Sequence, residues 1–153
     1  MIAVDWPDGS RWELGHLVLD LNGTLALDGR LLPGVPEALR ELGRELEIHL
    51  LTAGTHGGLP EVERALGLQA VPIGRGAEKL RYVEDLGWER CIAAGNGRND
   101  AAMLERARLG IAVLGPEGMA SAAAQAADIV VADILQGLAL PLHPKRIVAT
   151  LRA

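Results

Sequence analysis

The chain has 153 residues, 49% hydrophobic and 23% charged, with no Phe. That length and balance suit one globular domain with an aliphatic core and exclude a disordered or fibrous chain. Twenty acids against fifteen bases give a net charge of −5, and no stretch is strongly basic, so composition argues against a nucleic-acid partner. No apolar run approaches the ~20 residues that span a bilayer, and charges stand within the first few residues. Cys91 is the single cysteine, so no intramolecular disulfide forms. A cytoplasmic protein without a membrane partner is the expectation.

In chain order, Ile2 to Trp6 and Arg11 to Leu14 flank a Pro-Asp-Gly turn and predict a hairpin added at one edge of a sheet. Residues 1–15 are read as this extension and residues 16–153 as a single core. His16 to Leu21 is an apolar strand. Leu25-Ala-Leu and Arg30-Leu-Leu flank Asp28-Gly29, a favoured two-residue turn, and predict a flap hairpin. Pro33 to Leu46 carries Val35, Leu39, Leu42 and Leu46 at helical spacing. A strand at 47–52, a helix at 60–66 ending at Gly67, a strand at 69–73 and a helix at 77–86 follow. Then come a strand at 90–95, a helix at 100–108, a strand at 109–114, a helix at 119–126 and a strand at 128–131. Helices at 134–140 and 144–151 close the chain. Strands alternating with helices of about ten residues predict right-handed βαβ units, a parallel sheet and a three-layer, Rossmann-like α/β domain.

Ligands of such sheets bind beyond the carboxyl ends of the strands. There the first core strand delivers Asp20-Leu-Asn-Gly-Thr24 and the second Thr52-Ala-Gly-Thr. Lys79 stands early in a helix, and the strand at 90–95 leads into Gly95-Asn-Gly-Arg-Asn-Asp100. This set suits phosphoryl transfer through an aspartyl-phosphate. Asp20 is the expected nucleophile, and backbone N–H groups freed by Gly23 cradle the phosphate oxygens. Thr52 donates a hydrogen bond, Lys79 neutralises charge, and Asp100 helps hold Mg²⁺.

The order Asp-x-x-Gly-Thr, Thr, Lys, Gly-x-Gly-x-Asn-Asp-x-x-Met-Leu resembles the four motifs of the haloacid dehalogenase (HAD) superfamily, at Asp20 to Thr24, Thr52, Lys79 and Gly95 to Leu104. The strings LVLDLNGTLALDGRLLPGV and GNGRNDAAML are most similar to the small capless proteins known as soluble P-type-ATPase-like phosphatases. The resemblance implies an aspartyl-phosphate on Asp20 and Mg²⁺ dependence. It implies catalytic roles for Asp20, Asn22, Thr52 and Lys79. Phosphate binding falls to Asp20, Gly23, Thr24, Thr52, Ala53, Lys79 and Asn99, and metal binding to Asp20, Asn22, Asn96 and Asp100. Residues 25–51 and 53–78 each hold little more than one helix and its connections, so no cap domain is expected.

Two positions depart from the family pattern. Asn22 stands where these phosphatases carry an Asp that protonates the leaving oxygen and then activates water. An amide does not titrate, and loss of such a group typically slows a reaction by ~10²–10⁴. Asn96 stands where a metal-binding Asp is usual, which removes one negative charge and weakens Mg²⁺. Two readings therefore stay open: a slow phosphohydrolase or phosphotransferase acting on a phosphorylated substrate, and a regulatory module that keeps the phosphate and metal site without turnover. A phosphoacceptor receiver domain fits poorly, because Gly-Thr follows the acid and the Asn-Asp loop lies on a later strand.

The remaining features read as structural. His16, His49, His56 and His143 show no metal-ligand spacing along the chain; His49 reads as a structural strand residue and His56 as a loop residue near the site mouth. Cys91 reads as core, and Trp6 and Trp12 as a pair across the hairpin. Arg98 reads either as a solvated loop residue or as a phosphate or substrate contact. Open strand edges of the hairpin and flap lead to the expectation of a homo-oligomer in which such an element borders the site.

Overall fold

The computed structural model describes residues 1–54 and 57–153; Thr55 and His56 lie outside the described residues, and with them the reading of His56. The elements are β1 (Ile2–Asp5), β2 (Arg11–Leu14), β3 (His16–Asp20), β4 (Ala26–Leu27), β5 (Arg30–Leu31), α1 (Val35–Leu42), β6 (Glu47–Thr52), α2 (Leu59–Leu66) and β7 (Ala70–Pro72). They continue with α3 (Gly76–Leu86), β8 (Cys91–Gly95), α4 (Ala101–Arg106), β9 (Leu109–Val113), α5 (Ser121–Ala126), β10 (Ile129–Val131), α6 (Ile134–Leu142) and α7 (Pro144–Leu151).

Six strands form one parallel sheet in the order β10-β9-β8-β3-β6-β7. The chain moves outward from β3 through β6 to β7, then returns to β8 on the other side of β3. The strand order therefore reverses between β3 and β8, where the carboxyl ends of an open sheet leave a crevice. Alternation along β3 divides the interior into two layers. Leu17 and Leu19 face a cluster that includes Leu50, Ile92 and Ile111 from the sheet and Val35, Leu39, Leu138 and Ile147 from α1, α6 and α7. Val18 faces the opposite cluster, with Leu51 and Ala93 from the sheet and Val83, Met103, Leu104 and Ala123 from α3, α4 and α5. Cys91 is buried in that second layer, where burial pushes its thiol up to about 11 and leaves it unreactive.

The flap forms as expected. β4 and β5 pair antiparallel, and the turn between them has positive φ at both Asp28 (51°) and Gly29 (80°), the backbone twist that a tight hairpin requires. The N-terminal hairpin forms too, with Trp6 and Trp12 ring centroids 4.6 Å apart. Its position corrects the expectation: β1 and β2 make a separate two-stranded sheet and do not extend an edge of the six-stranded one. β2 runs through Gly15 directly into β3, so the hairpin sits at the amino end of the central strand, against α7 and the turn at Trp88–Arg90.

Three helices are shorter than the sequence predicts, α5 by its first two residues. α1 ends at Leu42, capped by Gly43, rather than at Leu46; Leu46 stays buried because its N–H still reaches the Leu42 carbonyl through a turn. The helix read from residue 100 starts as a tight 3₁₀ turn, Arg98–Asp100, because the Asp100 side chain takes the N–H groups of Asn96 and Gly97 and closes the loop on itself. Among the described residues no cap domain is inserted, and no helix is long and apolar enough to cross a membrane.

Candidate functional site

Asp20 ends β3 at the crevice and is 8% exposed. Lys79, in the second turn of α3, has no exposed surface, and its Nζ donates to Asp20 Oδ1 at 2.9 Å and to Asp100 Oδ1 at 2.7 Å. Asp100, also without exposed surface, is fixed from the other side: its Oδ2 accepts the N–H groups of Asn96 at 3.1 Å and Gly97 at 2.9 Å. Gly95 has to be glycine here, because a Cβ at that position would overlap the Asp100 carboxyl group. Buried Thr24 hydrogen-bonds Asp20 Oδ2 at 3.2 Å and Asn96 Oδ1 at 3.3 Å and so links the two strand-end loops. Thr52 Oγ1, at the end of β6, accepts the Gly54 N–H at 3.1 Å and the Asn22 amide at 3.4 Å.

Burial raises the pKa of Asp20 to about 6; the nearby Asp100 carboxylate adds to this, and Lys79 and Thr24 hold it back. Burial alone would lower the pKa of Lys79, but the Asp20 and Asp100 carboxylates outweigh it and raise it, so Lys79 remains a cation at neutral pH. Two carboxylates opposed by one ammonium leave a net negative site. Its donors are Asp20, Asp100 and the Asn96 amide oxygen, all hard oxygens, which is the set that suits Mg²⁺. The chemistry of the donors thus fits the expected ion.

Asp20, Thr24, Thr52, Lys79, Asn96 and Asp100 are brought to one edge of the sheet, with Asn22 and Gly23 beside them. Ala53 and Asn99 are exposed at the periphery. The Asn99 amide donates to the Gly74 carbonyl at 2.8 Å, and Gly74 in turn abuts Ala53, so these residues form one wall.

Two features escaped the linear reading. The loop after β9 folds over the site: Gly115 packs on the Gly23 carbonyl, the Asn96 amide donates to the Gly118 carbonyl at 3.1 Å, and the exposed Glu117 carboxylate stands against Gly23. Its signal was Gly115-Pro-Glu-Gly118, which follows a strand at the same sheet edge. The second feature corrects the reading of the histidines. His16 and His49 meet across β3 and β6, with ring nitrogens 3.2 Å apart and Glu47 beside both. Neighbouring parallel strands supply the spacing that the chain itself does not show.

The strand order, the reversal beside β3 and the acid-lysine-acid array at that point match the core of solved haloacid dehalogenase structures, and among the described residues no cap is inserted. Solved structures with this fold include the cobalt-bound deoxy-D-mannose-octulosonate 8-phosphate phosphatase of Haemophilus influenzae. Its TM-score is 0.71 and its identity 12%, over 92% of this chain and 94% of that one. The 3-deoxy-D-manno-octulosonate 8-phosphate phosphatase of Moraxella catarrhalis, in complex with magnesium, phosphate and KDO, matches with TM-score 0.64 and 16% identity over 91% and 94% of the two chains. A zinc-transporting PIB-type ATPase in the E2.Pi state matches with TM-score 0.63 and 24% identity, covering 78% of this chain and 20% of that one. The chain belongs to the same family as the uncharacterized protein MJ0073 of Methanocaldococcus jannaschii, with 45% identity over 78 residues, 48% of this chain and 84% of that relative. No family model matches the chain.

Proposed function

We propose that this protein is a phosphohydrolase or phosphotransferase that takes a phosphoryl group from a phosphorylated substrate onto Asp20. The observation that carries the reading is the buried Asp20–Lys79–Asp100 array at the carboxyl edge of the sheet. Buried ionic groups are expensive and add little to stability against an apolar replacement. Their placement at the strand-order reversal supports a chemical role.

In the proposed reaction one Asp20 carboxylate oxygen attacks phosphorus and the substrate oxygen leaves with the bonding pair. Lys79 neutralises charge gathering on the phosphoryl group, Thr52 Oγ1 donates to it, and backbone N–H groups around Gly23 cradle its oxygens. Mg²⁺ held by Asp20, the Asn22 backbone carbonyl, Asn96 and Asp100 would offset the repulsion between carboxylate and phosphate. Water then attacks the phosphorus of the aspartyl-phosphate, releasing phosphate and restoring Asp20. Asn22 neither protonates the leaving oxygen nor activates that water, so both steps are slow and the second lags. The metal-containing phosphatases with the same fold support this reading. We place the protein in the cytoplasm.

A second reading, a phosphate-binding regulatory module without turnover, is favoured by Asn22 and Asn96 alone. One experiment separates the two. Fresh protein is incubated with acetyl phosphate or an aryl phosphate and Mg²⁺, then examined by intact mass and peptide mapping. A single phosphoryl adduct on Asp20, absent in Asp20→Asn, supports the enzyme. Phosphate binding without any adduct supports the module.

A further inference from the structure

On the face covered by α3, at the amino end of the sheet, β3 and β6 deliver metal-binding side chains to one point. Their parallel register pairs His16 with Glu47 and Val18 with His49, so these side chains rise from the same face. His16 Nδ1 lies 3.2 Å from His49 Nε2. Glu47 turns one oxygen to each ring, Oε2 at 3.5 Å from His16 Nδ1 and Oε1 at 3.8 Å from His49 Nε2. Donors arranged tetrahedrally at about 2.0–2.2 Å from an ion stand roughly 3.3–3.6 Å from one another. The observed separations bracket that range, and one ligand atom from each residue falls within 4.8 Å of the others.

The surroundings favour the same use. His49 is buried, and its other ring nitrogen, Nδ1, lies 2.9 Å from Tyr82 Oη. With Tyr82 accepting from Nδ1–H, the Nε2 lone pair is aimed at His16, which is how a ligating histidine is oriented by the partner on its far nitrogen. A direct hydrogen bond between the two rings would use a single proton and give Glu47 no part. Glu47 nonetheless reaches both rings while its side chain is 67% exposed.

We propose that His16, His49 and Glu47 form a second metal site, open to solvent on the Glu47 side, that takes a borderline divalent ion of the zinc class. Two imidazoles and one carboxylate select Zn²⁺, Co²⁺ or Ni²⁺, whereas Mg²⁺ prefers oxygen donors throughout. The chain then separates two kinds of ion along one strand, a hard-oxygen site at Asp20 and a nitrogen-rich site at His16. α3 touches both, through Lys79 at Asp20 and Tyr82 at His49.

The test is Co²⁺ titration of the full chain in excess Mg²⁺, which keeps the Asp20 site occupied. Absorption bands of tetrahedral Co²⁺ report binding and added Zn²⁺ reports displacement. The expected result is one equivalent bound per chain. His16→Ala and Glu47→Ala should each weaken it at least about tenfold, and Tyr82→Phe roughly tenfold. Ring ¹⁵N resonances of His16 and His49 should move together on Zn²⁺ addition. If His49→Ala fails to fold, the two more accessible variants still decide the matter. Affinity unchanged by His16→Ala, binding abolished by Mg²⁺, or no binding in the wild type would each overturn the proposal.

Discussion

Lys79 Nζ stands 2.9 Å from Asp20 Oδ1 in a place where Lys79 has no surface exposed to water. The same ammonium holds Asp100, so its removal leaves two buried carboxylates facing each other without a counter-charge. Breaking a buried ion pair by deleting one partner costs about 3–5 kcal/mol. Lys79→Met is expected to lose stability on that scale in urea unfolding and to lose phosphoryl labelling wherever it remains folded. A Lys79→Met protein as stable as the wild type would mean that the array is not coupled as its geometry implies.

Asp20 carries the opposite liability. Its pKa is raised from 3.8 to about 6, first by burial and then by Asp100. The folded state therefore holds the Asp20 proton more tightly than the unfolded chain does. The associated stability is fully present below pH ~4 and is lost as pH rises through about 6. At pH 8 the ionised group burdens the fold by roughly 1–3 kcal/mol. In metal-free buffer, Asp20→Asn should be the more stable protein at pH 8, with the gap closing towards pH 4. A gap of constant size across that range would contradict the assignment.

Much of this site was legible in the chain because parallel sheets place strand ends in one crevice. Asp20, Thr52 and the Gly95 to Asp100 loop each end or follow an apolar strand, and Lys79 stands early in the helix between two of them. Asp28-Gly29 was equally plain, since few residue pairs accept positive φ twice. Contacts set by register were not legible. Nothing along the chain says that His16 pairs with Glu47, and a register shift of one residue would turn Glu47 and His49 to the face opposite His16. The hairpin was misplaced for a related reason: alternation identifies a strand but not the sheet it joins. Glu117 was missed because its loop meets Gly23 only after β9 has crossed to the far side of β8.

The flap gives a test of local geometry. Gly29 has φ 80°, and a Cβ there would overlap the Gly57 carbonyl, which belongs to the loop leading into α2. Gly29→Ala is thus strained in backbone and in space, and should cost more than ~1 kcal/mol. Hydrogen exchange should accelerate across residues 25–32. Asp28→Asn, at an exposed position whose left-handed backbone Asn accepts readily, should change stability by less than ~0.5 kcal/mol. Equal effects of the two substitutions would show that the flap is not docked on that loop.

The Asn22 amide contacts Thr52 Oγ1 at 3.4 Å, beside the Asp20 site. On the proposed reaction, Asn22 stands in place of the acid that would serve the leaving oxygen. With no proton to give, alkyl phosphates must expel an alkoxide and should react very slowly. Acyl phosphates, phosphoanhydrides and aryl phosphates leave as stabler anions and should still phosphorylate Asp20. With no base to activate water, the adduct should accumulate, giving a burst equal to the enzyme concentration and then slow turnover. Asn22→Asp should raise steady-state hydrolysis by about 10²–10⁴. Asn22 and Asn96 both precede glycine, a pairing prone to deamidation, so intact mass must be checked before each assay to exclude an Asp formed on storage. If fresh wild-type protein hydrolyses alkyl phosphates as fast as Asn22→Asp, a different group supplies the proton. Glu117, the carboxylate against Gly23, is then the residue to replace with Gln.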